Sequence, residues 1–253
     1  MDSSNTGFSS VELADTALWR LLVDVSQRGL NACLQPVEDE DDRRVQLVSQ
    51  TWEGDAQPLL TRIENAVYDN PRMLDDYATR VSVGTRRYLL YPKETLTEGD
   101  IEDAFTEVYP CQPEDIMTDD LGDIVCAYTL TPGLPAFLRR TLPGSRVNCH
   151  ITEAIRRRRE EPGDMTRVYV EIRPGECDIL AFDGTEILSV STQGWDTPDD
   201  IAYRVALLIQ AYGLQPDAVE VRLGGDREPR AAAAATLRKF LKFVTLDNAD
   251  NQR

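Results

Sequence analysis

Two acidic residues near strand ends, each followed by a turn with glycine, are the best candidates for chemistry in this sequence. Asp24 lies in "LLVDVSQRG" with Gly29 beyond it, and Glu171 lies in "RVYVEIRPGE" with Gly175 beyond it. A third segment, "VEVRLGG", ends in Gly224 and Gly225. Hairpins of this kind can hold a phosphate. Backbone N–H groups must approach the phosphate oxygens, and glycine allows this because a Cβ blocks the way. A carboxylate beside the turn orients Mg²⁺ or its waters, which makes Asp24 the candidate metal residue. The candidate cleft set is Asp24, Ser26, Arg28, Gly29, Glu171, Arg173, Gly175, Gly224 and Gly225.

Both turns depart from that design. Ser26, Gln27 and Arg28 stand where a cradling turn wants glycine and small hydroxyls, and Arg173-Pro174 removes glycine from the second turn. Proline also deletes a donor and fixes its own φ. Arg28 and Arg173 allow two roles. A guanidinium fork suits phosphate and could replace backbone contacts. Alternatively the arginines fill an empty cleft by pairing with Asp24 and Glu171, which is the expectation.

Other chemistry finds little support. His150 is the only histidine, and the five cysteines include no CxxC spacing, so a zinc site lacks ligands. Cys149 and His150 are neighbours, but neighbours on a strand point to opposite faces. A serine triad would also need His150, and no nucleophile elbow accompanies it. No catalytic residue is assigned. The run Arg156 to Arg159, followed by Glu160, Glu161 and Asp164, reads as a solvated helix end and linker.

The elements that must position these residues occur twice in the same order. "LWRLLVDVSQ", "GLNACLQPV" and "RRVQLVSQTW" are three strands, with the acidic link "EDEDD" as an exposed hairpin end. "DAQPLLTRIENAVY" has Leu59, Leu60, Ile63 and Val67 at helical spacing. An extended pair follows, "TRVSVGTRRYLLYP", then a helix capped by Thr97. Ile124 to Thr129 and Arg146 to Cys149 are strands around a short helix, Pro135 to Thr141. In the second half "RVYVEI", "CDILAF" and "EILSVST" are strands. A helix then runs from cap Thr197 and Pro198 to Gly213. "DAVEVRLGG" is a strand and "EPRAAAAATLRKFLKFV" a helix. The two halves place Asp24 opposite Glu171, Gly29 opposite Gly175 and Trp52 opposite Trp195.

A chain of 253 residues with 42% apolar content can bury a sizeable core in one large domain or two small ones. Its net charge of −17 argues against a DNA-binding surface. No apolar run is long enough to span a membrane, and the polar, acidic start lacks the pattern of a signal peptide. A cytoplasmic protein is expected. The sequence carries no signal for oligomeric state.

Three antiparallel strands, a helix, a strand and a helix, done twice, resemble the plan of the actin–Hsp70–sugar kinase superfamily. That resemblance implies an α/β protein of two ribonuclease-H-like lobes, mixed sheets flanked by helices, with ATP and Mg²⁺ in the cleft between them. The second half is similar to the pilus-assembly and cell-division branch, where "DIGxGxTDI" opens the second lobe. Here the string is Glu171-Ile172-Arg173-Pro174-Gly175-Glu176-Cys177-Asp178-Ile179. "VEVRLGGDREP" resembles the adenosine segment at Leu223, Gly224, Gly225 and Pro229. The early hairpin, the strand pair ending near Pro92 and the final "strand, Gly, helix, LRKF" up to Phe240 resemble the uncharacterised Bacteroidetes family known as domain of unknown function 3822.

The expected organisation is a disordered acidic tail at 1–16, a first lobe at 17–155 and a charged linker at 156–166, followed by a second lobe at 167–246 and a tail at 247–253. The expected function is a degenerate, pseudo-ATPase scaffold that binds no cofactor and acts through a protein partner. The alternative is a nucleotide-responsive switch or slow ATPase that holds ATP with Mg²⁺.

Overall fold

The structure is a computed structural model that describes residues 15–38, 44–52, 57–95, 100–161 and 163–247. It divides into two units, the first up to Glu153 and the second from Ala154.

The first unit is built on strands β1 (Trp19–Ser26), β2 (Gly29–Pro36) and β3 (Val45–Thr51), helix α1 (Leu59–Tyr68) and strand β4 (Ala78–Val83). Strand β8 (Arg146–Cys149) completes a sheet of order β3-β2-β1-β4-β8. Strand alternation sends Leu21, Val23 and Val25 to one face, where they join Leu30, Ala32, Leu34, Ile63, Val67 and Phe137 in one core. Burying each such aliphatic side chain stabilises the unit by ~2 kcal/mol. The other face carries Arg20, Leu22, Asp24 and Ser26, none of them buried.

Between β4 and β8 come β5 (Tyr88–Pro92), helix α2 (Asp100–Val108), β6 (Met117–Asp120), β7 (Ile124–Tyr128) and helix α3 (Leu134–Thr141). The three strands form a small sheet of order β5-β7-β6. Buried Asp119 ties it to the end of β8. Its carboxylate accepts from the Tyr128 hydroxyl at 3.1 Å and from the Cys149 backbone N–H at 2.8 Å.

Helix α4 (His150–Arg159) leads into the second unit, with strands β9 (Thr166–Arg173), β10 (Glu176–Asp183) and β11 (Glu186–Gly194). Helix α5 (Pro198–Ala211), strand β12 (Val219–Gly225), helix α6 (Arg227–Leu237) and strand β13 (Phe243–Leu246) follow. The sheet order is β11-β10-β9-β12-β13, the same sequence of antiparallel and parallel neighbours as in the first unit. Val168, Val170, Ile172, Ile179 and Ala181 meet α5 and α6 in a second core. The alanine run lets α6 lie close: Ala233 and Ala234 are fully buried.

Several expectations change. The extended pair does not pair: β4 joins the five-stranded sheet and β5 the small one. β6 and β13 are strands beyond the expected ones. The final helix ends at Leu237 instead of running to Val244, because Phe243–Leu246 pairs with β12 and buries Val244. Tertiary pairing outweighs the helical preference of that segment. Within 156–166, α4 extends to Arg159 and β9 opens at Thr166. Thr97 lies outside the described residues, as do all but Glu38 of the acidic hairpin end and most of both tails. Cys149 and His150 do not point apart. Strand alternation stops where α4 begins, and Cys149 Sγ lies 3.6 Å from His150 Nδ1. A hydrogen bond with Cys126, and then burial, push the Cys149 thiol well up, which disfavours the thiolate a nucleophile needs.

Candidate functional site

The predicted residues fall on two equivalent hairpins, one in each unit. Register refines their correspondence. Ser26 faces Gly29 across the first turn as Arg173 faces Glu176 across the second. Asp24 therefore matches Glu171, as expected, but Gly29 matches Glu176, and Arg28 matches Gly175.

In the first hairpin the turn satisfies itself. The Arg28 backbone N–H donates to Ser26 Oγ at 3.2 Å, and that hydroxyl donates to the Gly29 carbonyl at 3.3 Å. The Arg28 carbonyl accepts from the Trp52 N–H at 2.7 Å. Gly29 makes room for β3, because a Cβ there would stand 2.5 Å from the Gln50 carbonyl oxygen. The Arg28 guanidinium is exposed and has no partner among the described residues. Asp24 is exposed in the row Ser49–Asn31–Asp24–Ser82–Asn148, which runs polar across all five strands. Burial pushes the Cys33 thiol nearby up; Arg44 opposes the shift and the Asp24 charge adds to it.

The second hairpin is closed by an ion pair. Arg173 Nη2 lies 2.8 Å from both carboxylate oxygens of Asp178 and 3.6 Å from Glu176. Thr192 Oγ1 donates to the same Asp178 at 2.7 Å. Asp178 is 2% exposed, so its charge needs these partners. The expected pairing of Arg173 with Glu171 is thus corrected. Asp178 sits directly opposite Glu171 on the neighbouring strand, a like-charge juxtaposition that draws a cation to its side. Arg173 Nε is buried without an acceptor among the described residues. Trp195 Nε1 donates to the Arg173 carbonyl at 3.0 Å and holds the strand end.

Glu171 lies over Gly224, where a Cβ would collide with its carboxylate. Gly225 has φ 85°, and a Cβ there would run into the Ile172 backbone. Both glycines serve packing within the second sheet. Gly175, at φ 73°, makes the tight turn. Burial, with Asp178 beside it, pushes the Cys177 thiol up to about 12. The structure gathers Glu171, Arg173, Gly175, Gly224 and Gly225 at one end of the second sheet, and Asp24, Ser26, Arg28 and Gly29 at one end of the first. Asp178 and Thr192 escaped sequence reasoning. An acid inside the otherwise apolar "CDILAF" was the available signal. No group of three or more metal-ligating side chains occurs among the described residues.

The second sheet has a further cluster on the face away from its core. Arg158, in the last turn of α4, stacks 4.7 Å from the Tyr169 ring centroid and lies 2.8 Å from Glu161. The Glu161 carboxylate accepts from the Tyr169 hydroxyl and from Arg222 Nη1, both at 2.8 Å, and the Glu161 carbonyl accepts from Arg167.

Comparison with known proteins gives a family and a fold. Residues 9–244 match the family described as "Protein of unknown function (DUF3822)". No curated protein matches the sequence. A crystal structure of a Bacteroides thetaiotaomicron protein "with actin-like ATPase fold and unknown function" superposes with a TM-score of 0.83 at 16% identity, covering 95% of each chain. A chain of the PilM-PilN type IV pilus biogenesis complex superposes with a TM-score of 0.57 at 12% identity, over 92% of this chain and 89% of that one. Among the described residues no helix is long and apolar enough to cross a membrane.

Proposed function

This chain belongs to the DUF3822 family and has an actin-like ATPase fold, and we propose that it is a pseudo-ATPase: a scaffold that acts through a protein partner without holding ATP. The observation that carries this reading is the Arg173–Asp178 pair beside Pro174. A phosphate cradle needs outward N–H donors and a free cation. Pro174 has no N–H to offer, and Arg173 is engaged by carboxylates. In the other hairpin the Arg28 N–H is spent on Ser26. Gly224 and Gly225 make space that protein atoms already occupy. The residues present therefore do not fit a triphosphate at these turns.

The shared strand order supports an internal duplication in which both copies lost the cradle. PilM, a protein of similar fold, is solved in complex with PilN, which supports a role exercised through a partner.

Exposed Asp24 and unpartnered Arg28 favour the second reading, a nucleotide-responsive switch or slow Mg-ATPase. Titration calorimetry with ATP, with and without Mg²⁺, separates the two. No heat up to millimolar ATP is expected. Magnesium-dependent binding that disappears in Asp24→Ala/Glu171→Ala would sink the pseudo-ATPase reading.

A further inference from the structure

The two sheets share more than strand order. Arg20 matches Arg167, each the second residue of the first strand of its sheet, and Arg80 opposite Leu22 matches Arg222 opposite Tyr169. In the second sheet these positions are covered. The end of α4 brings Glu161 onto Arg222 and Arg167, while the Arg158 guanidinium lies over the Tyr169 ring. The negative pole of the helix C-terminus adds to that attraction. In the first sheet Arg146 stands directly opposite Arg80, so two like charges are neighbours on adjacent strands. Both are exposed. None of Arg20, Arg80 and Arg146 has a side-chain partner among the described residues. In a chain with 44 acids and 27 bases, three unanswered arginines around half-buried Leu22 are a local reversal of sign.

We propose that this face of the first sheet is a docking site for the acidic C-terminal turn of a helix in a partner protein. The second sheet shows the chemistry: just past a helix end, Glu161 gives its carboxylate to Arg222 and its backbone carbonyl to Arg167, beside the Tyr169 ring. The partner supplies the equivalent carboxylate to Arg80 and the equivalent helix-end carbonyl to Arg20, with Arg146 adding charge, and Leu22 stands where Tyr169 stands. The contact is local and acts within a Debye length, against the long-range field of the acidic chain. It rests on the partner half of the proposed function and is independent of the nucleotide half: the ATP titration tests one, a peptide titration the other.

The test is a fluorescence-anisotropy titration of the full chain with a labelled helical peptide whose last turn carries two glutamates. The same peptide with glutamines, and inorganic phosphate as competitor, are the controls. Saturable binding of the glutamate peptide is expected, with loss of binding for the glutamine peptide. Arg80→Ala should weaken it roughly tenfold, and Arg80→Ala/Arg146→Ala further, with unchanged circular dichroism and urea midpoint because both sites are exposed. No saturable binding to the wild type, equal affinity for both peptides, or unchanged affinity in a folded variant would overturn the proposal. Displacement by an equal concentration of inorganic phosphate would also overturn it, leaving a small-anion site.

Discussion

The two five-stranded sheets have one strand order and two electrostatic solutions. In the first, Asp24, Asn31 and Ser82 form an open polar row, and Arg20, Arg80 and Arg146 lie beside it without partners among the described residues. In the second, Arg173 is answered by Asp178 and Glu176, Arg222 by the Glu161 carboxylate and Arg167 by the Glu161 carbonyl. The same backbone lattice thus supports a closed polar network in one unit and an open face in the other. A shared fold specifies where side chains stand, and the neighbours supplied by chain connectivity decide whether a charged position is structural or available.

The sharpest break of this comparison is Gly225→Ala. The matching position in the first sheet, Val83, carries a side chain, whereas Gly225 has φ 85° against the Ile172 backbone. Destabilisation by about 3 kcal/mol in urea unfolding is expected, confined to the second unit. Next comes Asp178→Ala, which strands a mostly buried guanidinium and should destabilise by about 2 kcal/mol. Its counterpart Asn31, half-buried in the open row, accepts a neutral hydrogen bond from Gln46, and Asn31→Ala should cost no more than about 1 kcal/mol. Equal effects at the two positions would erase the distinction between a closed and an open sheet. Tyr169→Phe removes one hydrogen bond to Glu161 and should lower stability by about 1 kcal/mol in the same assay.

The smallest effect concerns the helices that follow each third strand. Helix α1 has Pro58 at its N-cap and no side-chain cap, while Asp200 accepts from the Thr197 and Asp196 N–H groups at the start of α5. Those bonds hold the Asp200 carboxyl below its ordinary 3.8. The folded value is the lower one, so the cap is fully in place above the ordinary value and is lost as pH falls through the folded value. Protection of the first-turn amides of α5, taken relative to their intrinsic exchange, should therefore hold near neutrality and fall only in acid, a loss absent from Asp200→Ala.

Much of this was legible in sequence. Alternation in "LLVDVSQ" and "VYVEIR" places both hairpins, and Thr197, Pro198 and Gly213 bracket α5 near its true limits. The match of Asp24 with Glu171 follows from spacing alone. What was hidden depends on register. Arg173 finds Asp178 because the turn sets a cross-strand diagonal five residues apart, whereas the sequence leads one to expect Glu171. Gly224 and Gly225 look the same whether a ligand or Glu171 and Ile172 fill the space, since both require only the missing Cβ. β6 and β13 are four residues each and gain strand character only by pairing with β7 and β12. The kinship of Arg80 with Arg222 needs the parallel pairing of β1 with β4 and β9 with β12, which no local pattern encodes.

The central claim is that the second hairpin is closed by its own ion pair. The most direct measurement is residue-resolved: amide chemical shifts of Arg28, Gly29, Gly175 and Gly224 during addition of Mg-ATP to millimolar concentration. The account predicts that none of the four shifts saturably. Saturable shifts at Gly175 and Gly224, reversed on chelating the metal, would mean that phosphate displaces Asp178 from Arg173, and would contradict it.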